Sequence, residues 1–122
     1  MRLDKVSKTA VAALEDIKAR DVVVLDVRKI TPLFDRLIIA SGDSTRQIKA
    51  LARNVADKVK AAGGPVCGIE GEDAAEWVLV DLGSTVVHIM HPAVRQYYNL
   101  EELWGTPRAP AAPRKRASRA KA

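Results

Sequence analysis

The chain has 122 residues, 48% hydrophobic and 29% charged, the balance of one globular domain that can bury a core without disulfides or a structural metal. Its single cysteine, Cys67, excludes an internal disulfide; no apolar run approaches the roughly 18 residues of a membrane span, and the amino-terminal stretch MRLDKVSKTAVAALEDIKAR lacks the apolar region of a signal peptide, so a cytoplasmic location is expected. The net charge of +5 is confined to the end of the chain: residues 1–104 hold 14 bases against 15 acids, which argues against a body that binds nucleic acid by charge.

Apolar positions at Val6, Ala10, Ala13, Leu14 and Ile17 have the spacing of one helical stripe and predict a first helix over about residues 3–20. From Asp21 the run DVVVLDV, rich in β-branched residues, reads as a buried strand, and beyond Ile30, Thr31 and Pro32 a second strand lies in DRLIIAS. Gly42-Asp43-Ser44 is a break. Ser44 and Gln47 then have capping-box spacing, and Ile48, Leu51, Ala52, Val55 and Val59 form the stripe of a second helix that Gly63-Gly64-Pro65 closes. A short strand is expected in Val66 to Ile69, followed by two strands in EWVLVDLGSTVVHIMHP. After His91 and Pro92 a third helical segment follows; Asn99 and Glu102 repeat the capping spacing before Leu103 and Trp104, and Tyr98 and Trp104 read as packing residues.

This order predicts a single α/β domain over residues 1–104, a mixed five-stranded sheet with packed helices. Strands joined across the second helix should run parallel, and the last two antiparallel. Residues 105–122, GTPRAPAAPRKRASRAKA, carry six bases (Arg108, Arg114, Lys115, Arg116, Arg119 and Lys121) and no acid. A Pro/Ala-rich stretch with no large apolar side chain cannot offset its ordering entropy, so it is expected to be a disordered tail whose functional option is weak, salt-sensitive contact with RNA phosphates.

The stretch Glu76 to Pro92 is the most informative. With Gly83 and Ser84 as the central pair of a II′ turn, Leu82 faces Thr85, Val80 faces Val87 and Val78 faces Ile89. One side then carries Val78, Val80, Val87 and Ile89, an ordinary core layer. The other carries Trp77, Leu79, Asp81, Val86, His88 and Met90, a mixture found in interface cores, or else a face that a helix covers with Asp81 and His88 at its edge.

Catalytic signals are weak. His88 and His91, three apart on a strand, point to opposite faces and cannot converge on one metal ion. Ser41-Gly42-Asp43-Ser44 lacks the glycines and lysine of a phosphate-binding loop and reads as helix capping. Asp26 has Arg28 at i+2 rather than a second carboxylate to hold magnesium. Cys67, in VCGIEG, lacks an orienting base in sequence and reads as a buried structural thiol.

LDVRKITPLFDRLIIASGDSTRQIKALA and GEDAAEWVLVDLGSTVVHIMHPAVRQYYNLEELW, with the helix between them, resemble the ribosomal silencing factor family, also called Iojap-related, over about residues 3–104. The resemblance implies a small α/β fold with a nucleotidyltransferase-like topology that lacks the catalytic carboxylates; with no metal or catalytic constellation read from the residues, no cofactor and no metal are expected. It also implies a non-enzymatic translational repressor that binds the large ribosomal subunit through ribosomal protein L-fourteen and blocks joining of the small subunit when nutrients are scarce. Together with the mixed face, it points to Trp77 as anchor, Leu79 and Leu82 as apolar contacts, and Glu76 and Asp81 as charge partners. An apolar docking face can also pair with a second copy, so a homodimer of the free protein is a further expectation. The alternatives are a nucleotide-using enzyme of the transferase-like fold and an RNA-binding protein working through its tail.

Overall fold

The structure, a computed structural model, describes residues 3–98. Its elements follow the predicted order: α1 (Leu3–Asp16), β1 (Arg20–Asp26), β2 (Arg36–Ser41), α2 (Thr45–Ala61), β3 (Gly68–Glu70), β4 (Trp77–Asp81), β5 (Thr85–Met90) and α3 (Pro92–Tyr98). The expectations for the side chain of Tyr98, for Asn99, Glu102, Leu103 and Trp104, and for the tail lie outside the described residues.

Val6, Ala10, Ala13 and Leu14 are the buried stripe of α1. The helix ends at Asp16, four residues earlier than the periodicity predicts. There the amides of Ile17 and Ala19 both donate to the Leu14 carbonyl, at 3.3 and 3.0 Å, and Lys18 adopts a left-handed φ of 64°. This closure normally recruits glycine, and with lysine in its place the sequence gives no stop signal. In α2 the predicted stripe of Ile48, Leu51, Ala52, Val55 and Val59 is buried in full. Ser44 Oγ accepts from the Gln47 amide at 3.1 Å, while Gln47 Oε1 accepts from the Asp43 amide at 2.7 Å. The Gln47 amide group also donates to the carbonyls of Ile17 and Lys18, at 3.0 and 3.1 Å. One side chain therefore caps α2 and ties it to the end of α1.

The strands form one five-stranded sheet in the order β1-β2-β5-β4-β3. The β2–β5 pair is parallel and the other neighbours are antiparallel. As expected, β3 runs parallel to β2, the two being joined across α2, but β5 and β4 lie between them. The hairpin register is the one counted from the sequence: Trp77 opposes Met90, Val78 opposes Ile89, Leu79 opposes His88, Val80 opposes Val87, and the Leu82 amide bonds to the Thr85 carbonyl. Gly83 has the positive φ, 85°, that the turn requires, and Asp81 Oδ1 accepts its amide at 2.9 Å. The Ser84 carbonyl accepts the amides of Asp35 and Arg36 at 2.7 and 3.1 Å, fastening the hairpin tip to the foot of β2.

Both long helices pack on one face of this sheet. Val78, Val80, Val87 and Ile89 meet the stripes of α1 and α2 there, with Ile38, Ala40 and Leu82, in the main core. A smaller cluster of Val27, Leu37, Ile39, Val86 and Met90 lies apart from it, partly covered by Ile30 and Phe34 from the β1–β2 connection and Val94 from α3. Among the described residues, the mixed face is thus covered in part, by a loop and a short helix.

Two expectations are corrected. The run DVVVLDV is no buried strand: β1 is the edge of the sheet, every one of its residues is exposed or half-buried, and Val24 is 42% exposed. An unbroken apolar run looks the same in a central strand and in an edge strand that packs on one side only. Cys67 is exposed rather than a buried thiol, because it enters β3, the opposite edge, where no further strand shields it.

Ion pairs mark both ends of β1. Arg20 meets Asp43 at 2.8 Å, and Asp26 meets the backbone and guanidinium of Arg28, with Arg36 at 4.0 Å. The Arg28 side chain, then its backbone amide, hold the Asp26 carboxyl down at about 2, from an ordinary 3.8. A lowered folded-state value contributes stability that is present above the ordinary pKa and disappears as pH falls through the folded one. The expected carboxyl titration of Asp26, followed by NMR, has its midpoint near 2 in the parent and moves up towards 3.8 in Arg28→Ala; a parent midpoint already near 3.8 would mean the pair does not form in solution. Lys18→Gly is expected to raise stability by about 0.5–1 kcal/mol in urea unfolding, by removing the left-handed penalty on a residue with a Cβ.

Candidate functional site

The loop that delivers Trp77 is built to a narrow tolerance. Gly71 has φ +89°, and a Cβ there would stand 2.4 Å from the Trp77 carbonyl oxygen, so only glycine fits. The Ala75 amide returns to the Gly71 carbonyl at 3.0 Å, and the Ala75 side chain, 1% exposed, plugs into the helix-side core. Arg53 on α2 pairs with Glu72 at 3.2 Å, and the Glu76 carbonyl accepts the His91 amide at 3.0 Å. The start of β4 is therefore held from α2 on one side and from the β5–α3 junction on the other.

From this anchored start, alternation places Trp77, Leu79 and Asp81 on the face away from α1 and α2, all three half-buried. Opposite them on β5 stand Met90, His88 and Val86, of which His88 alone is half-buried. Trp77 reaches diagonally across the pair: its indole N–H donates to His88 Nδ1 at 2.8 Å, with ring centroids 5.8 Å apart and planes inclined by 51°. The row through Leu79 and His88 continues to Ile39 on β2 and to Glu70, exposed, on β3. The result is a shallow aromatic and aliphatic surface, with acids at Glu70 and Asp81 on its β3 side and a packed cluster under its other half.

The five residues singled out from the sequence are not one patch. Trp77, Leu79 and Asp81 share the partly open face. Glu76 is exposed in the loop before β4. Leu82 is fully buried in the helix-side core, because it shares the parity of Val78 and Val80; it has no surface to offer a partner and acts by fixing the hairpin. Asp81 has a structural task as well, accepting the Gly83 amide. Sequence reasoning left out His88 as a member of the site, although it noted the residue on the mixed face. The available signal was that a histidine opposes Leu79 one step diagonally from the tryptophan.

His88 faces Trp77, whereas His91 is exposed and accepts the Ala93 amide through Nδ1 at 3.2 Å. Asp26 is engaged by Arg28, and among the described residues no group of three or more His, Cys, Asp or Glu is placed to hold a metal ion. Ser44 and Asp43 serve the cap of α2. No helix among the described residues is long and apolar enough to cross a membrane.

The family model described as "Ribosomal silencing factor during starvation" matches residues 2–122, further than the motifs alone indicate. The Ribosomal silencing factor RsfS of Chromobacterium violaceum is 55% identical over 105 residues, covering 86% of this chain and 86% of that protein; its Bacillus subtilis namesake is 44% identical, covering 86% and 89%. A mouse protein named "Mitochondrial assembly of ribosomal large subunit protein 1" is 38% identical over 97 residues, 77% of this chain and 42% of that one. Among solved structures, a Chromobacterium violaceum protein superposes with a TM-score of 0.84 at 49% identity, covering 92% of this chain and all of that one. A Bacillus halodurans protein superposes with a TM-score of 0.75 at 39% identity, covering 83% and 94%. The chain belongs to the ribosomal silencing factor family.

Proposed function

We propose that this protein is a cytoplasmic translational repressor that docks on the large ribosomal subunit through ribosomal protein L-fourteen and keeps the small subunit from joining. The observation that carries the reading is the sheet face that α1 and α2 leave uncovered, with Trp77, Leu79 and His88 half-buried and acids beside them. Family membership supplies the ribosome; the mouse relative's name points to the large subunit. The mechanism is steric and uses no covalent chemistry. Trp77 anchors, Leu79 adds apolar contact, and Glu76 and Asp81, with Glu70 from β3, pair with bases of the ribosomal protein. A folded body of near-neutral charge suits a protein partner better than bare RNA. In the free protein the same face is available to a second copy of the chain, and pairing of two copies through it is part of the proposal.

Co-sedimentation with separated subunits tests the reading directly. Binding to the large subunit and inhibition of subunit joining are expected; binding to the small subunit alone, or joining that proceeds unhindered, would rule it out. Trp77→Ala is expected to keep the fold and to lose about 2 kcal/mol of docking free energy, roughly thirtyfold in affinity. If the variant binds as tightly as the parent, Trp77 is not the anchor. The tail supplies a separate contribution: deletion of residues 105–122 is expected to weaken association and flatten its salt dependence without abolishing it, whereas complete loss would favour recognition of RNA through the tail.

A further inference from the structure

The bond between Trp77 and His88 assigns the histidine a state as well as a place. An indole N–H is a donor only, so the atom it meets at 2.8 Å, His88 Nδ1, must be an acceptor. That requires a neutral imidazole with its proton on Nε2. If Nδ1 were protonated, by a change of tautomer or by ionisation, two donors would face each other and the bond would be lost. The imidazole is itself held, because Leu79 and Ile39 flank it directly on β4 and β2. Trp77 is the first residue of β4 and half-buried, and the bond from its indole N–H to His88 Nδ1 favours one orientation of the ring.

We infer that His88 is a positioning residue for the docking face: its neutral Nε2–H form holds the Trp77 indole in the orientation that meets the partner, and its protonation weakens docking. This rests on the reading of Trp77 as anchor given above. Among the described residues, the groups that titrate or carry charge on the surrounding elements are Glu70 on β3, Asp81 on β4, Arg28, Lys29 and Asp35 in the β1–β2 connection, His91 just before α3 and Arg95 on it. Arg28 is engaged with Asp26, Asp81 with the Gly83 amide and Arg95 with Ser41 Oγ at 2.9 Å. The residues of β2 on this side, Leu37 and Ile39, carry no charge.

Two substitutions separate the acceptor from the bulk of the ring. In His88→Asn the side-chain oxygen can take the place of Nδ1, whereas His88→Leu leaves the indole without an acceptor. Co-sedimentation of the full chain with large subunits is expected to give about fivefold weaker binding for His88→Leu and binding within about twofold of the parent for His88→Asn. Independently of any binding, nitrogen NMR of the parent's imidazole should report the Nε2–H form, so a failure of His88→Leu to fold does not shield the inference. It is overturned if Nδ1 carries the proton at neutral pH, if a folded His88→Leu binds like the parent, or if His88→Asn is as weak as His88→Leu. A Trp77→Ala variant that binds like the parent would remove the docking reading and this inference together. If Trp77→Ala is weakened and His88→Leu is not, only the inference falls.

Discussion

Everything distinctive in this molecule follows from an asymmetry of cover. A five-stranded sheet has two faces to bury, and both long helices lie on the same one, where α1 and α2 pack against each other and against Val78, Val80, Val87 and Ile89. The tie between them is specific: Gln47 caps α2 and donates to the carbonyls of Ile17 and Lys18 in the turn that closes α1. Among the described residues, the second face is covered by the β1–β2 connection and the short α3, which seal Leu37, Ile39, Val86 and Met90 and leave Trp77 and Leu79 half-buried. Trp77 and Leu79, half-buried on a rigid support, are the apolar side chains of this face on which the proposed docking rests.

The parts of this architecture that could be read from sequence are those in which local chemistry and burial agree. The α2 stripe, its Ser44 cap and the hairpin register all came from spacing that tertiary packing does not override, since a one-residue slip would turn the whole buried face of the hairpin outward. Where burial is decided by the neighbouring strands, sequence was silent. DVVVLDV has the composition of a central strand, yet the hairpin, and not β1, occupies the middle of the sheet, because β5 rather than β3 forms the parallel partner of β2. Cys67 was misjudged for the same reason at the other edge. The end of α1 was missed because Lys18 does what glycine usually signals.

The site was legible to about the same depth. Alternation alone puts Trp77, Leu79 and Asp81 together, and the same alternation, carried one residue further, removes Leu82 to the core. Treating the motif as a block hid that. The Trp77–His88 bond lies on a diagonal of the sheet, and a diagonal contact depends on the rotamers of both partners, which no count along the chain supplies. Gly71 was equally invisible: its need is set by a backbone oxygen six residues on.

These supports have a common energetic sense in the proposed docking. A half-exposed tryptophan free to change rotamer would surrender that freedom on binding, at about 0.5–1.5 kcal/mol for an immobilised side chain, and a net hydrogen bond in a folded protein is of the same size. Holding the indole in advance shifts the ordering cost from association to folding, where the main core offsets it. The same logic accounts for the anchoring of the loop before β4 from both sides, by Arg53 to Glu72 and by the Glu76 carbonyl to His91: a docking residue at the very start of a strand is only as well placed as the chain that leads into it. A polar atom on such a face is then no blemish in an apolar patch. It is a means of fixing the orientation of a large side chain at the edge of a small second cluster.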